Sequence, residues 1–177
     1  DAGRPGDVLA GPLTRIGVFE LDSFYPAAQR MELAMMLNNL LAAPGFGAWI
    51  RRNTHAHRLA GHRAVSISLK RPGVAPGDAT ADEMDAIASL AQAHSAGELR
   101  VTHEQNLLLP WVPVASLPEV WRALQALGLA RPNIGMVTNI IACPGGDFCD
   151  LANAKSLPIA QDLLARFERA DEWFDIG

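Results

Sequence analysis

The chain has 177 residues, of which 49% are hydrophobic and 19% charged, and its formal net charge is −4. This apolar content excludes an intrinsically disordered chain, and the acidic balance gives no reason to expect binding to nucleic acid or to a membrane surface. Two cysteines are too few for a disulfide framework, no apolar run approaches the about 20 residues of a membrane span, and the first residues lack a signal-peptide pattern, so we expect a cytoplasmic protein.

The N-terminal part predicts an arm that carries one helix. Residues 1–12 are rich in Gly and Pro, which is typical of an extended segment, and residues 13–20 have strand-like apolar content. Tyr25–Leu41 follows with the apolar period and the Ala, Leu and Met content of a helix. We therefore treat residues 1–47 as a linker or arm with one helix.

A basic stretch without any acidic residue lies between Glu32 and Asp78. Its cationic and imidazole side chains are Arg51, Arg52, His55, His57, Arg58, His62, Arg63, Lys70 and Arg71. Such a local positive field favours an anionic ligand, for example a carboxylated cofactor or an oxyanion. The alternative is a loop whose charges face water, and the residues alone do not decide between the two. His55 and His57 would share one face of a strand, but a third metal ligand is not found nearby.

From residue 64 the chain predicts a regular alternation of strands and helices. The predicted strands are Ala64–Lys70, two short pieces within Leu99–Pro110, and Asn133–Ile141; the predicted helices are Ala81–Ser95 and Leu117–Leu127. The first helix has the clearest signal, because Thr80 and Glu83 have the spacing of a capping box. The order β-α-β-β-α-β indicates an α+β, ferredoxin-like half-domain, in which two helices cover one face of an antiparallel sheet.

The two cysteines, Cys143 and Cys149, flank a Pro-Gly-Gly turn that follows the last predicted strand. Leu151–Phe174 comes next and predicts helices, with Pro158 as a bend or as the first turn of a second helix. Glycines let a backbone approach a ligand closely, and thiolates bind soft metals and iron–sulfur clusters. Three interpretations stay open for the thiols: buried core residues, a local disulfide, or half of a metal or cluster site.

A dense polar group interrupts the apolar residues of the stretch ELRVTHEQNLLLP. Arg100 has the geometry for a bidentate bond to a carboxylate, and Thr102, Gln105 and Asn106 can donate and accept hydrogen bonds. Polar side chains in a strand–bend–strand either face water or hold a polar group. The alternative to a binding site is a hairpin bend whose side chains bond within the protein.

Four segments together resemble the haemoprotein subunit of sulfite and nitrite reductases: ISLKRPGV, ELRVTHEQNLLLP, ACPGGDFCDLANAKSLPIA and FDIG. The resemblance covers roughly residues 45–177 and is closest to the second of the two similar halves of that family. It implies sirohaem and a [4Fe–4S] cluster that are coupled through a shared cysteine. Cys143 and Cys149 match the first pair of cluster ligands. Arg100, Thr102, Gln105 and Asn106 match the strand region over the sirohaem and its carboxylates.

The resemblance also implies that the chain is a fragment. The second cysteine pair and the first half of the family, which supplies most anion-binding residues, are not in this sequence, and both ends read as cuts through a longer protein. We therefore expect the remainder of that protein as a partner, a chain that is catalytically incomplete by itself, and neither sirohaem nor an intact cluster in this chain alone. No catalytic residue is assigned from the sequence.

The implied function is the multi-electron reduction of sulfite to sulfide, with electrons from a reductase subunit or from ferredoxin. A nitrite reductase of the same family is the first alternative, and a stand-alone ferredoxin-like module that binds an anion is the second. On this interpretation residues 48–140 form the half-domain, and residues 141–177 begin a truncated sirohaem and [4Fe–4S] domain.

Overall fold

The computed structural model describes residues 45–168 together with Ala34 and Ala43. Its helices and strands are α1 Phe46–Asn53, β1 Thr54–Ala56, β2 His62–Ile67, α2 Ala81–His94, β3 Arg100–Val101, β4 Leu107–Pro113, α3 Leu117–Ala126 and α4 Ser156–Phe167. Single 3-10 turns lie at Val114–Ser116 and Gly145–Asp147. The predicted arm and strand lie outside the described residues, as do the segment FDIG and, apart from Ala34, the predicted helix Tyr25–Leu41.

The four strands form one antiparallel sheet in the order β1-β2-β4-β3. Its centre is the β2–β4 pair, in which Val65 lies opposite Leu109 and Ile67 opposite Leu107. These apolar pairs face α2 and α3, so the sheet and its covering helices confirm the ferredoxin-like α+β class.

The fourth strand of the sheet is not the one that the sequence predicts. Residues 133–141 form turns, in which the Met136 N–H donates to the Asn133 carbonyl (3.0 Å) and the Asn139 N–H to the Met136 carbonyl (2.9 Å). Gly135 adopts a φ of 75° there, a value that favours glycine. Turn chemistry therefore outweighs the apolar content of this stretch, and β1, from the basic stretch, supplies the edge strand beside β2.

The predicted capping box of α2 is confirmed. The Glu83 N–H donates to the Thr80 hydroxyl (3.2 Å), and the Thr80 N–H donates to the Glu83 carboxylate (2.9 Å). The second predicted helix is confirmed as α3, although Ser116 makes no side-chain capping bond and Pro118 lies in the first turn instead. No helix within residues 45–168 combines the length and the apolar content of a membrane span.

The C-terminal helix begins later than predicted. Residues 150–154 form turns and bends, and α4 starts at Ser156 with Pro158 inside its first turn, where a proline is tolerated because that N–H has no intrahelical partner. The Ser156 hydroxyl does not cap the helix but donates to the Cys143 carbonyl (2.7 Å). The helical prediction is thus wrong for residues 151–155 and confirmed from Ser156 to Phe167.

One hydrophobic core lies between the sheet and helices α1 to α3. Phe46 of α1 packs against Trp121 of α3 with ring centroids 4.9 Å apart, and against Trp49 of its own helix. The fully buried side chains of this core include Phe46, Trp49, Val65, Ile67, Ile87, Leu109, Leu117, Val120 and Leu124. This packing fixes the β3–β4 hairpin, so that its bend is held in one place at an end of the sheet.

Candidate functional site at the cysteine turn

A cleft of about 540 Å³ opens beside the β3–β4 bend. One wall is the bend itself, with Thr102, Gln105 and Asn106, and another is the loop at residues 75–79. The remaining wall comes from the cysteine turn, here defined as residues 142–149, and from the start of α4. The cleft therefore lies between the polar bend and the cysteine turn, of which Ala142, Pro144 and Phe148 line it while the two cysteines do not.

The bend at residues 102–106 is a tight hairpin connection. The Thr102 N–H donates to the Asn106 carbonyl (2.9 Å), and the Gln105 N–H donates to the Thr102 carbonyl (3.1 Å). Gln105 adopts a φ of 55°, which is uncommon for a residue with a side chain. The predicted pair of short strands around a polar bend is thus confirmed as β3 and β4.

A buried lysine holds the bend from below. The Lys70 ammonium donates to the carbonyls of Glu104 and Gln105 (both 2.6 Å) and to the side-chain carbonyl of Asn106 (3.0 Å). Its side chain is fully buried. Burial lowers the pKa of Lys70 to about 8, against an opposing effect of the Glu104 carboxylate, because a charged amine is unfavourable away from water.

Two side-chain amides connect the bend to the segment that enters the cysteine turn. Gln105 donates to the Ala142 carbonyl (2.7 Å) and accepts from the Ala142 N–H (3.1 Å). Asn106 donates to the Asn139 side chain (3.1 Å), which in turn donates to the Glu104 carboxylate (3.1 Å). The backbone immediately before Cys143 is therefore fixed to the sheet at two points.

The cysteine turn folds back against residues 154–156. The Gly146 N–H donates to the Ala154 carbonyl (2.8 Å), and the Cys149 N–H donates to the Gly145 carbonyl (2.9 Å). Both cysteines are free and exposed, so the interpretation of buried core thiols is wrong. The thiol of Cys143 lies 3.7 Å from the Ser156 hydroxyl.

The structure brings together three of the four residues predicted to bind a cofactor. Thr102, Gln105 and Asn106 line the cleft, but the amides of the last two already bond within the protein. Arg100 lies apart: its neighbour Val101 lines the cleft, and adjacent residues of a strand point to opposite faces. Its guanidinium pairs with the exposed Glu98 (2.6 Å). Direct contact of these residues with a cofactor stays a prediction.

Several charges of the basic stretch serve the fold. Arg71 forms a bidentate pair with Glu83 (2.6 and 2.7 Å), and Arg63 donates to Thr54. His55 bonds to the Ser66 hydroxyl, and no group of three metal-ligating side chains is found among the described residues. Besides an anion site and a solvated loop, the charged side chains of the basic stretch therefore have a third role, which is to bond within the protein.

Lys70 is the residue of this site whose importance the sequence analysis missed. In the sequence it is one of several positive charges of the basic stretch. The available signal was its position at the end of an apolar strand, VSISLK, where a lysine either extends into water or is buried with its own acceptors.

The donor set of the site fits half of an iron–sulfur cluster. Thiolates are the usual ligands of such clusters, and two exposed thiols lie on one glycine turn. The cleft fits sirohaem poorly, since Asp78 is the one charged side chain among the described residues that line it. Carboxylates of a macrocycle need cationic partners, and this cleft offers none of its own.

Comparison with known proteins points to one family. The profile of the nitrite/sulfite reductase ferredoxin-like half domain matches residues 68–127. A sulfite reductase (ferredoxin) 2 of Mycolicibacterium paratuberculosis is 35% identical over 111 residues, which cover 62% of this chain and 20% of that protein. A ferredoxin–nitrite reductase of Synechococcus elongatus is 27% identical over 134 residues, 72% of this chain and 25% of that protein.

A chloroplastic ferredoxin–nitrite reductase of Arabidopsis thaliana is 35% identical over 91 residues, which cover 50% of this chain and 15% of that protein. The chain thus spans about a quarter or less of the length of these curated relatives. The profile match contains α2, the β3–β4 hairpin and α3, the elements that build the bend and one wall of the cleft. Residues 68–127 thus match the half domain of sulfite and nitrite reductases, and the curated relatives named here are reductases of both kinds.

Proposed function

We propose that the chain is part of a reductase of sulfite or nitrite, and that Cys143 and Cys149 supply two thiolate ligands of its iron–sulfur cluster. The observation that carries this proposal is the pair of free, exposed thiols on a glycine turn whose entry Gln105 fixes to the half domain. The chemistry that a bound cluster supplies is one-electron transfer. The role of this chain is to hold two of its ligands on the exposed cysteine turn.

For the substrate we propose sulfite, in accord with the segments that resemble the sulfite branch. A relative named sulfite reductase is 35% identical over 111 residues. Nitrite is the alternative, because proteins named ferredoxin–nitrite reductase match the same part of the chain. Ferredoxin is the electron donor that we propose, since the names of relatives in both groups contain it. A cytoplasmic location stays a prediction.

For sirohaem, we infer that its carboxylates are paired by cations that lie outside the described cleft. The bend residues Thr102, Gln105 and Asn106 then shape a wall of the cleft, while Arg100 is a predicted cation on the other face of the sheet. The division into a half-domain at residues 48–140 and a cofactor domain from residue 141 is part of the same proposal.

The test is the iron and acid-labile sulfide content of the native protein, purified without oxygen. Cys143→Ser and Cys149→Ser each remove one thiolate, so both should lose the cluster. Asp150→Asn is the matched control, because this exposed neighbour of Cys149 changes charge without removing a thiol, and it should retain the iron. Unchanged iron in both cysteine variants would refute the ligand assignment. A wild-type protein without cluster and sirohaem absorption would favour the anion-binding module.

A further inference from the structure

We propose that Lys70 is a positioning residue for the cysteine turn: its ammonium fixes the bend at residues 102–106, and the bend, through Gln105, holds the backbone that enters Cys143. The geometry of this linkage is independent of any cofactor. Its consequence for the two thiols as cluster ligands rests on the proposed function.

The first step of this linkage lies at the bend, which presents buried hydrogen-bond acceptors that need donors. Three oxygen atoms, the carbonyls of Glu104 and Gln105 and the side-chain carbonyl of Asn106, converge on one buried point. Buried acceptors without donors are strongly unfavourable, and a protonated amine carries three N–H donors. Lys70 supplies all three from β2's continuation, and its own carbonyl accepts from the Asn133 side chain (3.3 Å). One side chain thus donates to all three oxygens, and the Asn106 oxygen also accepts from the Leu69 N–H (3.2 Å).

The second step is the backbone of Gln105. A left-handed φ of 55° is unfavourable for a glutamine, so a local contact is needed to keep it there. The Gln105 carbonyl is one of the three acceptors of Lys70, at 2.6 Å. On the other side Gly77 leaves room, since a Cβ on that glycine would lie 3.0 Å from the Gln105 Cβ. Lys70 therefore stabilises the conformation that aims the Gln105 amide at Ala142.

The third step leads to the thiols. Gln105 bonds to both the N–H and the carbonyl of Ala142, and Ala142 is 9% exposed although its neighbours Ile141 and Cys143 are exposed. Asn106 adds the second attachment at Asn139. The Glu104 carboxylate, which accepts from Asn139, adds a further hydrogen bond between the bend and residues 139–142. Loss of Lys70 should loosen this segment before it affects the core.

Backbone amide hydrogen exchange of the native protein tests the proposal without reference to activity. Lys70→Met keeps the length of the side chain and removes its donors. Gln105→Asn keeps an amide, tolerates the left-handed backbone better, and is one methylene too short to reach Ala142. Arg71→Met is the matched control, because it removes the adjacent cation, which pairs with Glu83 and not with the bend.

The measure is the ratio of the exchange rate of residues 139–146 to that of β2 and β4. In Lys70→Met and Gln105→Asn this ratio should be about tenfold or more higher than in the wild type. Arg71→Met should leave that ratio unchanged and accelerate exchange in the first turn of α2. If Lys70→Met does not fold, Gln105→Asn alone decides the outcome for the link to Ala142. The positioning role would be overturned if, in Lys70→Met and Gln105→Asn, exchange at residues 139–146 rose by no more than exchange in β2 and β4.

The same samples separate this inference from the proposed function. Iron content measured on them should fall in Lys70→Met and stay at the wild-type value in Arg71→Met. A wild-type protein that lacks iron would overturn the cluster proposal while the exchange ratios still decide the role of Lys70. Iron present in the wild type, together with unchanged exchange ratios in Lys70→Met and Gln105→Asn, would overturn the role of Lys70 alone.

Discussion

Replacement of Gly145 by alanine should open the cysteine turn. Gly145 adopts a φ of 59°, and a Cβ at this position would lie 2.7 Å from the Ala154 carbonyl oxygen and 2.9 Å from the Ser156 nitrogen. It would also overlap the Ser156 hydroxyl. The neighbouring atoms are mainly backbone, so the turn and residues 154–156 must separate to accommodate the methyl group.

The cost has two parts. A left-handed conformation is unfavourable for alanine by about 1–2 kcal/mol, and insertion of a methyl group into close-packed surroundings costs about 1–3 kcal/mol. The sum is about 2–5 kcal/mol, which corresponds to a shift of about 30-fold or more in the equilibrium between the closed and the open turn. Separation also breaks the Gly146–Ala154 and Ser156–Cys143 hydrogen bonds.

Hydrogen exchange of residues 143–156, together with urea unfolding of the core, measures this effect. Gly146→Ala is the control: its Cβ would meet the Ala154 oxygen at 3.5 Å, an ordinary contact, and its φ is not in the left-handed region. We expect local exchange to rise by the predicted factor in Gly145→Ala and to change little in Gly146→Ala. Equal exchange in the two variants would refute the close approach of Gly145 to residues 154–156.

Three further predictions concern charged side chains. Hydrogen bonds from Arg71 and from the Thr80 backbone lower the pKa of Glu83 from 4.5 to about 2; the stability that this group contributes above pH 4.5 should therefore be lost as the pH falls toward 2. Between these pH values the wild type should lose about 1 kcal/mol more unfolding free energy than Glu83→Gln, and parallel urea curves would contradict this. Burial lowers the pKa of Lys70 from 10.5 to about 8, so the unfolding free energy should rise between these pH values; an NMR titration of its side chain with a midpoint near 10.5 would refute the burial. Arg100→Ala should leave the thermal midpoint unchanged, because its ion pair with Glu98 is exposed, and should lower the sirohaem absorption of the native protein; unchanged absorption would remove Arg100 from the cofactor site.

The parts of the fold that local chemistry determines were predictable from the sequence. The capping box of α2 involves Thr80 and Glu83, three residues apart, and it forms as expected. The hairpin around residues 102–106 is likewise a local feature, as polar residues between two short apolar runs favour a bend. The apolar face of β4 packs into the core, and this packing sets the position of the hairpin in the fold.

The features that depend on distant partners were not predictable. Residues 133–141 have the apolar content of a strand, yet the edge beside β2 is occupied by β1, which pairs through Thr54 to Ala56. The acceptors of Lys70 lie more than 30 residues further along the chain, and so does the Ala142 partner of Gln105. Because a single sequence carries no record of such pairs, the residues of the polar bend left open whether it holds a ligand or bonds within the protein; two of its amides do bond to the protein.

The edges of the sheet have a consequence for how the chain behaves in solution. β1 has three residues and β3 has two. Edges this short present few unpaired backbone groups to a neighbouring molecule, which discourages strand-to-strand aggregation. Phe148 and Leu151, by contrast, are 81% and 91% exposed beside the thiols. Self-association at high concentration should therefore begin at the cysteine turn, and a mild detergent should disperse it more readily than a β-sheet aggregate.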